Sequence, residues 1–196
     1  MNIMHMNSGK IFDYDNVSSN DIDIVDIAHN LNHLCRWTGS LNTHFSVLLH
    51  SLLCCKLYEK YCHFYGELYD DRRARLILLH DAHEAYTGDI GTGLKNKLPQ
   101  LVELQKTIDV AIYELLGMTP PTVIEKSLIK WIDIQALLLE SEALFDDDTV
   151  KIWLENNYDY KTAEWMFKEY RIFLIPDLLQ IEDAVGAFLN SLGCCV

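Results

Sequence analysis

Residues 75–86, RLILLHDAHEAY, open on the apolar run Leu76, Ile77, Leu78 and Leu79 and pass directly into His80 and Asp81. Read at helical period, the stretch predicts a helix that starts near Leu68 and stops at Thr87-Gly88. At 100° per residue, His80, Asp81 and Glu84 fall within an arc of about 100°, so three metal- or proton-binding groups leave one face together. His83 lies about 60° to the other side of His80. There it reads equally as a ligand, as a support for one, or as a surface residue.

Helical period continues outward from this stretch. Upstream, a first helix is predicted from near Asn20 to Gly39, burying Ile24, Ile27, Ala28, Leu31 and Leu34. A second, with Thr43 as its possible cap, carries Val47, His50, Leu53, Cys54 and Leu57 on one stripe. Downstream, GDIGTGLKNKLP (88–99) reads as an exposed, glycine-rich loop. One helix then covers about 100–116, and a longer one follows Pro120-Pro121 to about Phe145, where Asp146, Asp147 and Asp148 read as a solvated helix end. Two further helices, about 161–170 and 177–191, flank RIFLIP. No repeat, low-complexity tract or linker interrupts the chain, so an all-α helical bundle is expected, a single domain over residues 1–196.

Composition narrows the function. Sixteen basic against 29 acidic residues give a net charge of −13, a field that repels nucleic acid and anionic lipid. A small polyanion stays admissible if metal ions and a few aimed basic side chains reverse the potential locally. The six cysteines form no CxxC pair, which argues against a zinc knuckle or a disulfide framework. No run of eighteen apolar residues appears, the opening MNIMHMNSGKIFDYDN lacks the marks of a signal peptide, and the ending GCCV is not a prenylation box. A soluble, cytoplasmic protein is expected, without membrane or nucleic-acid partners.

Groups that resist burial interrupt the apolar stripes. His50 stands between Ser46/Val47 and Leu53/Cys54, and Asp133 between Ile129 and Ala136/Leu137. An unpaired carboxylate in a core costs several kcal/mol, roughly, so Asp133 needs a cation. One buried histidine alone reads as a satisfied core residue. Two histidines and two aspartates together point to a shared divalent metal, with nitrogen and oxygen donors that suit zinc, cobalt, manganese or iron and leave room for water.

The order His50 … His80-Asp81 … Asp133 resembles the H…HD…D signature of the HD-domain phosphohydrolase superfamily. SVLLHS (46–51), LLHDAHEAYTGD (78–89), GLK (93–95) and WIDIQALLLE (131–140) are similar to segments of its bacterial deoxynucleoside monophosphatases. DIVDIAHNLNHLCRWTG (23–39) resembles the first helix of a smaller group that includes the phage dATP triphosphohydrolases. The similarity covers about residues 20–145. It implies an HD-domain fold and a divalent ion, magnesium included, on His50, His80, Asp81 and Asp133. Glu84 and Asp89 match the acidic residues beside the reacting phosphate, Arg36 and Lys95 match phosphate-binding positions, and Trp37 matches the aromatic against the deoxyribose. Two departures stand out: Leu49 replaces a polar residue before the first ligand, and Gly91 and Gly93 replace prolines, which predicts a more mobile loop around Lys95.

The expected reaction is metal-dependent hydrolysis at the α-phosphate of a deoxynucleotide. The RWTG segment puts dATP first, giving deoxyadenosine and triphosphate, in a host cytoplasm if the chain is phage-encoded. The alternative is a deoxynucleoside 5'-monophosphatase. A non-catalytic nucleotide sensor ranks behind both, because all four ligand positions are filled. A homo-oligomer is expected.

Overall fold

The chain begins with an antiparallel hairpin of two short strands, β1 (Ile3–His5) and β2 (Ile11–Asp13), with Met4 opposite Phe12. Strands of three residues carry too little alternation to register in a sequence reading, which missed them. The fold is that of a computed structural model, which describes residues 2–145, 149, 152, 153, 156, 178–180 and 183–194. The expectations for Asp146 to Asp148, for a helix at 161–170 and for RIFLIP lie outside the described residues.

Side-chain caps set most helix boundaries, and several differ from the sequence expectation. Helix α1 (Ile24–His33) starts at Asp23, whose carboxylate accepts from the Val25 N–H at 2.9 Å. Residues 19–21 form a separate 3₁₀ turn, so the helix begins later than Asn20. It also stops early, at Leu34, and Arg36–Gly39 form a 3₁₀ turn of their own. Helix α2 (Val47–Tyr65) is capped by Ser46, not Thr43, through the Leu49 N–H at 3.1 Å. Gly66, at φ 66°, ends it in the left-handed region that favours glycine.

The helix expected from Leu68 to Thr87 is two helices. Helix α3 (Asp71–Leu78) is capped by Asp70, and α4 (Glu84–Thr87) follows after a tightened stretch. Across that stretch the Ala82 N–H donates to Leu79 O and the Glu84 N–H to Asp81 O, both at 2.9 Å. These are bonds three residues apart, the tighter spacing that often marks functional segments. The expected loop at 88–99 contains a further helical turn, α5 (Thr92–Lys95). Helix α6 (Pro99–Leu115) opens on a proline, whose missing N–H costs nothing at that position. Helices α7 (Val123–Leu144) and α8 (Ala184–Ser191) complete the described elements.

Helix α2 runs through the centre and packs against α1, α3, α7 and α8. Its Leu48, Leu53, Leu57 and Tyr58 are fully buried. The hairpin closes one end: Phe12 is buried with its ring 4.3 Å from that of Tyr86 on α4, and the Tyr14 hydroxyl donates to Tyr86 O at 2.6 Å. Ser8, in the hairpin turn, donates its N–H to the buried Asp26 carboxylate of α1 at 2.8 Å, which ties that end to the bundle. Among the described residues no helix is long and apolar enough to cross a membrane.

The start of α7 positions the helix that carries Asp133. Thr122 and Glu125 form a reciprocal capping box, and Glu125 also takes Arg72 of α3 at 2.9 Å. Backbone donation from Thr122, aided by Arg72, holds the Glu125 carboxyl down at about 2. A depressed carboxyl stabilises the fold above its ordinary pKa and loses that contribution as pH falls through the depressed value. Glu125→Ala is therefore expected to cost about 1 kcal/mol at pH 7, read as a lower Tm, with the difference from the parent protein vanishing as pH approaches 2.

Candidate metal centre

Four side chains from three segments converge at the floor of a cavity. His50 comes from the first turn of α2, His80 and Asp81 from the tightened stretch between α3 and α4, and Asp133 from the middle of α7. His50 Nε2 lies 3.2 Å from His80 Nε2, 3.7 Å from Asp81 Oδ2 and 3.5 Å from Asp133 Oδ1. His80 Nε2 lies 3.3 Å from Asp81 Oδ2 and 3.9 Å from Asp133 Oδ1. Donors held by one ion at about 2.1 Å, at angles of 90–110°, are about 3.0–3.4 Å apart, close to these separations.

The tautomers support the same reading. His50 Nδ1 bonds the Glu140 carboxylate and His80 Nδ1 bonds Ile77 O at 2.7 Å. A neutral ring that donates from Nδ1 presents a lone pair at Nε2, so two lone pairs and two carboxylate oxygens face one point. Lys130 on Asp133 at 2.9 Å and Arg36 near Asp81 at 3.6 Å offset part of the carboxylate charge, and the facing lone pairs still favour a cation among the donors. Protons are one such cation. Burial works against charge on His80, yet Asp81 beside it lifts the ring to about 9. Burial and Arg36 oppose charge on His50, and Glu140 and Asp133 help raise it well above the ordinary value. Protons and a divalent ion compete for the same donors, so these residues fit a metal whose uptake releases protons.

Glu140 is the residue that sequence reasoning missed. It is fully buried, with Oε1 on His50 Nδ1 and Oε2 accepting from Arg36 Nη2 at 3.2 Å and from the Trp37 indole N–H at 3.1 Å. The signal was present: Glu140 lies seven residues after Asp133, two helical turns along the same stripe.

Arg36 and Trp37 reach the site through backbone strain, not from a helix end as expected. Trp37 (φ 57°) and Thr38 (φ 52°) are both left-handed, a conformation that costs of order 1–3 kcal/mol for such residues. The turn swings the indole over the cavity, edge-on to Phe145 at 4.9 Å between centroids. Arg36 is buried and spans Glu140 and Asp81, with Nη1 3.6 Å from Asp81 Oδ2.

The opposite wall holds Glu84, Asp89 and Lys95. Burial and the nearby Asp81 push the Glu84 carboxyl up to about 7; its Oε1 accepts from Lys95 at 2.9 Å, while Oε2 is buried without a hydrogen-bond partner among the described residues. Gly88, at φ 80° and ψ 160°, makes a turn open in practice only to glycine and delivers Asp89 to the cavity, where burial raises its carboxyl. The helical turn α5 sets Lys95 in place, so Gly91 and Gly93 do not leave it on an irregular loop. His83 bonds Asp109 through Nδ1 at 3.0 Å. Its donor atom lies within 4.8 Å of those of Asp81 and Glu84.

The cavity above these groups has a volume of about 610 Å³ and is lined by Arg36, Trp37, Asp81, Glu84, Asp89, Lys95 and Asp133 among others. The sequence matches the 5'-deoxynucleotidase YfbR-like family over residues 23–191. The chain belongs to that family. YfdR of Escherichia coli, described only as uncharacterised, is 36% identical over 141 residues, which cover 72% of this chain and 71% of that one. RCAP_rcc00048 of Rhodobacter capsulatus, also uncharacterised, is 35% identical over 146 residues, 71% of each chain. As a YfbR-like protein the chain is a metal-dependent phosphohydrolase of the HD superfamily. The match supports that part of the sequence resemblance and lends no support to the phage dATP triphosphohydrolase part.

Glu140→Gln keeps the side chain's shape but turns an amide towards either His50 or Arg36. Divalent-metal affinity should fall by about 10–100-fold, measured by competition with a chelating indicator. Glu140→Ala leaves buried Arg36 with only the longer Asp81 contact and should cost about 3 kcal/mol in thermal or denaturant unfolding. Unchanged metal affinity in the glutamine variant would show that Glu140 does not orient a ligand.

Proposed function

We propose that the chain is a deoxynucleoside 5'-monophosphatase, in which His50, His80, Asp81 and Asp133 hold a divalent ion and the cavity above them takes the nucleotide. The convergence of two Nε2 lone pairs and two carboxylates beneath a cavity walled by Arg36, Lys95 and Trp37 carries this reading. The volume suits a nucleotide-sized ligand. Bound there, a divalent ion would supply Lewis acidity and lower the pKa of water so that hydroxide is available near neutral pH.

The chain's own groups have distinct tasks. Glu84, held near neutrality by burial, receives the proton of the attacking water at Oε2. Lys95 and Arg36 offset the charge on the phosphate oxygens and hold the phosphorus for in-line attack. Asp89, on the same wall, assists departure of the 5'-oxygen, which takes up the proton that Glu84 received from the water. A new bond forms between phosphorus and water oxygen, the bond from phosphorus to the 5'-oxygen breaks, and deoxynucleoside and inorganic phosphate leave. Trp37 packs against the sugar and leaves a ribose hydroxyl without room or partner.

The sequence put dATP ahead of the monophosphate on the strength of RWTG; the family match favours the monophosphate. A panel of dNMPs, dNTPs and ribonucleotides, with divalent metals varied, decides between them by product. Phosphate and deoxynucleoside from dNMPs are expected, and Asp133→Ala should abolish turnover while remaining folded. If dATP yielded triphosphate with the higher kcat/KM, the substrate assignment would be wrong.

Exclusion of one added hydroxyl by an apolar wall is worth about a hundredfold, and dNMP over NMP should lie near that ratio. Trp37→Ala should shrink it mainly by admitting the ribonucleotide, with metal content unchanged. Equal loss on both substrates at a fixed ratio would make Trp37 a packing residue only.

A further inference from the structure

Cys54 lies one helical turn after His50 on α2 and is fully buried beneath the donor cluster. Its Sγ is 3.6 Å from His50 Nε2. The donor atoms of His50, Cys54 and His80 all fall within 4.8 Å of one another, so the thiol closes on the same point as the imidazoles. Sulfur at about 2.3 Å and nitrogen at about 2.1 Å from one ion, at a tetrahedral angle, are about 3.6 Å apart.

The partner of that thiol decides its role. Glu140 fixes His50 with its proton on Nδ1, so Nε2 is the lone pair an S–H can use, and no hydrogen bond from Cys54 to any other described residue is found. An ion on Nε2 takes that lone pair. The thiol then has a buried sulfur facing a cation and no acceptor for its proton. Loss of the proton to solvent and coordination through sulfur satisfies both groups at once. Cys55, next in the chain, points elsewhere, its Sγ 3.6 Å from Ala74 O.

We propose that Cys54 is a further ligand of this metal centre, a thiolate donor that tilts it towards borderline and soft divalent ions and away from magnesium and manganese. The proposal rests on the metal-site reading above. It differs from that reading in what it predicts spectroscopically.

The full-length protein loaded with cobalt(II) tests it. Visible d–d bands report ion binding by the histidines and aspartates, and a near-ultraviolet thiolate-to-cobalt charge-transfer band reports sulfur. The parent protein and Cys55→Ala should show both; Cys54→Ala and the near-isosteric Cys54→Ser should keep the d–d bands and lose the charge-transfer band. Affinity for cadmium relative to manganese, from chelator competition, should drop by about tenfold or more in both Cys54 variants. Visible bands without charge transfer in the parent protein, or a band that survives Cys54→Ala, would overturn the proposal and leave the four-ligand site standing. Failure of the parent protein to bind cobalt, cadmium or manganese would overturn both.

Discussion

Everything at this site hangs on one buried carboxylate. Glu140 fixes the tautomer of His50 through one oxygen and gathers Arg36 and Trp37 through the other. A charge so deep costs several kcal/mol, roughly, unless it is paired and hydrogen-bonded, and here both oxygens are engaged by donors. The consequence is geometric. A helix-borne histidine, a strained turn and a second helix are tied to one another, so the proposed metal ligand His50 and the proposed substrate-facing Arg36 and Trp37 share one support. The left-handed pair Trp37 and Thr38 persists because Glu140 and the Arg36 backbone bond to Phe45 O, at 2.8 Å, define the turn from both sides.

The same network bears on how an acidic phosphohydrolase would take an anionic substrate. With a net charge of −13 the long-range field is unfavourable. Close to the site the balance changes: Arg36 and Lys95 stand on opposite walls, both held by carboxylates that raise their affinity for the proton. A divalent ion on the four donors would complete the local reversal. Glu84 and Asp81 sit near each other with opposite outcomes. The histidines and Arg36 overcome burial to keep Asp81 ionised, whereas burial beside Asp81 leaves Glu84 able to exchange a proton near neutral pH.

Much of this was legible in the sequence because burial penalties are local. His50, His80, Asp81 and Asp133 each interrupted an apolar stripe, and the structure brings all four together. The period-based arc that grouped His80, Asp81 and Glu84 assumed a regular helix, whereas the chain tightens there. Hydrogen bonds spanning three residues, reinforced by the His80 side chain on Ile77 O, override the regular helix. Helix ends failed where a better cap lay a few residues on, as Ser46 did beyond Thr43. The hairpin and the strained turn left no periodic trace, because both depend on distant partners: Tyr86 for the first and Glu140 for the second. Glu140 itself was overlooked because a carboxylate at the end of ALLLE reads as the polar edge of a helix until Arg36 is placed against it.

Anomalous diffraction from crystals grown with a divalent transition metal tests the central claim most directly. The proposed site predicts an anomalous peak about 2.0–2.3 Å from His50 Nε2, His80 Nε2, Asp81 and Asp133, with Glu140 still bonded to His50 Nδ1. A peak bound elsewhere, or His50 turned to present Nδ1 to the ion, would contradict it.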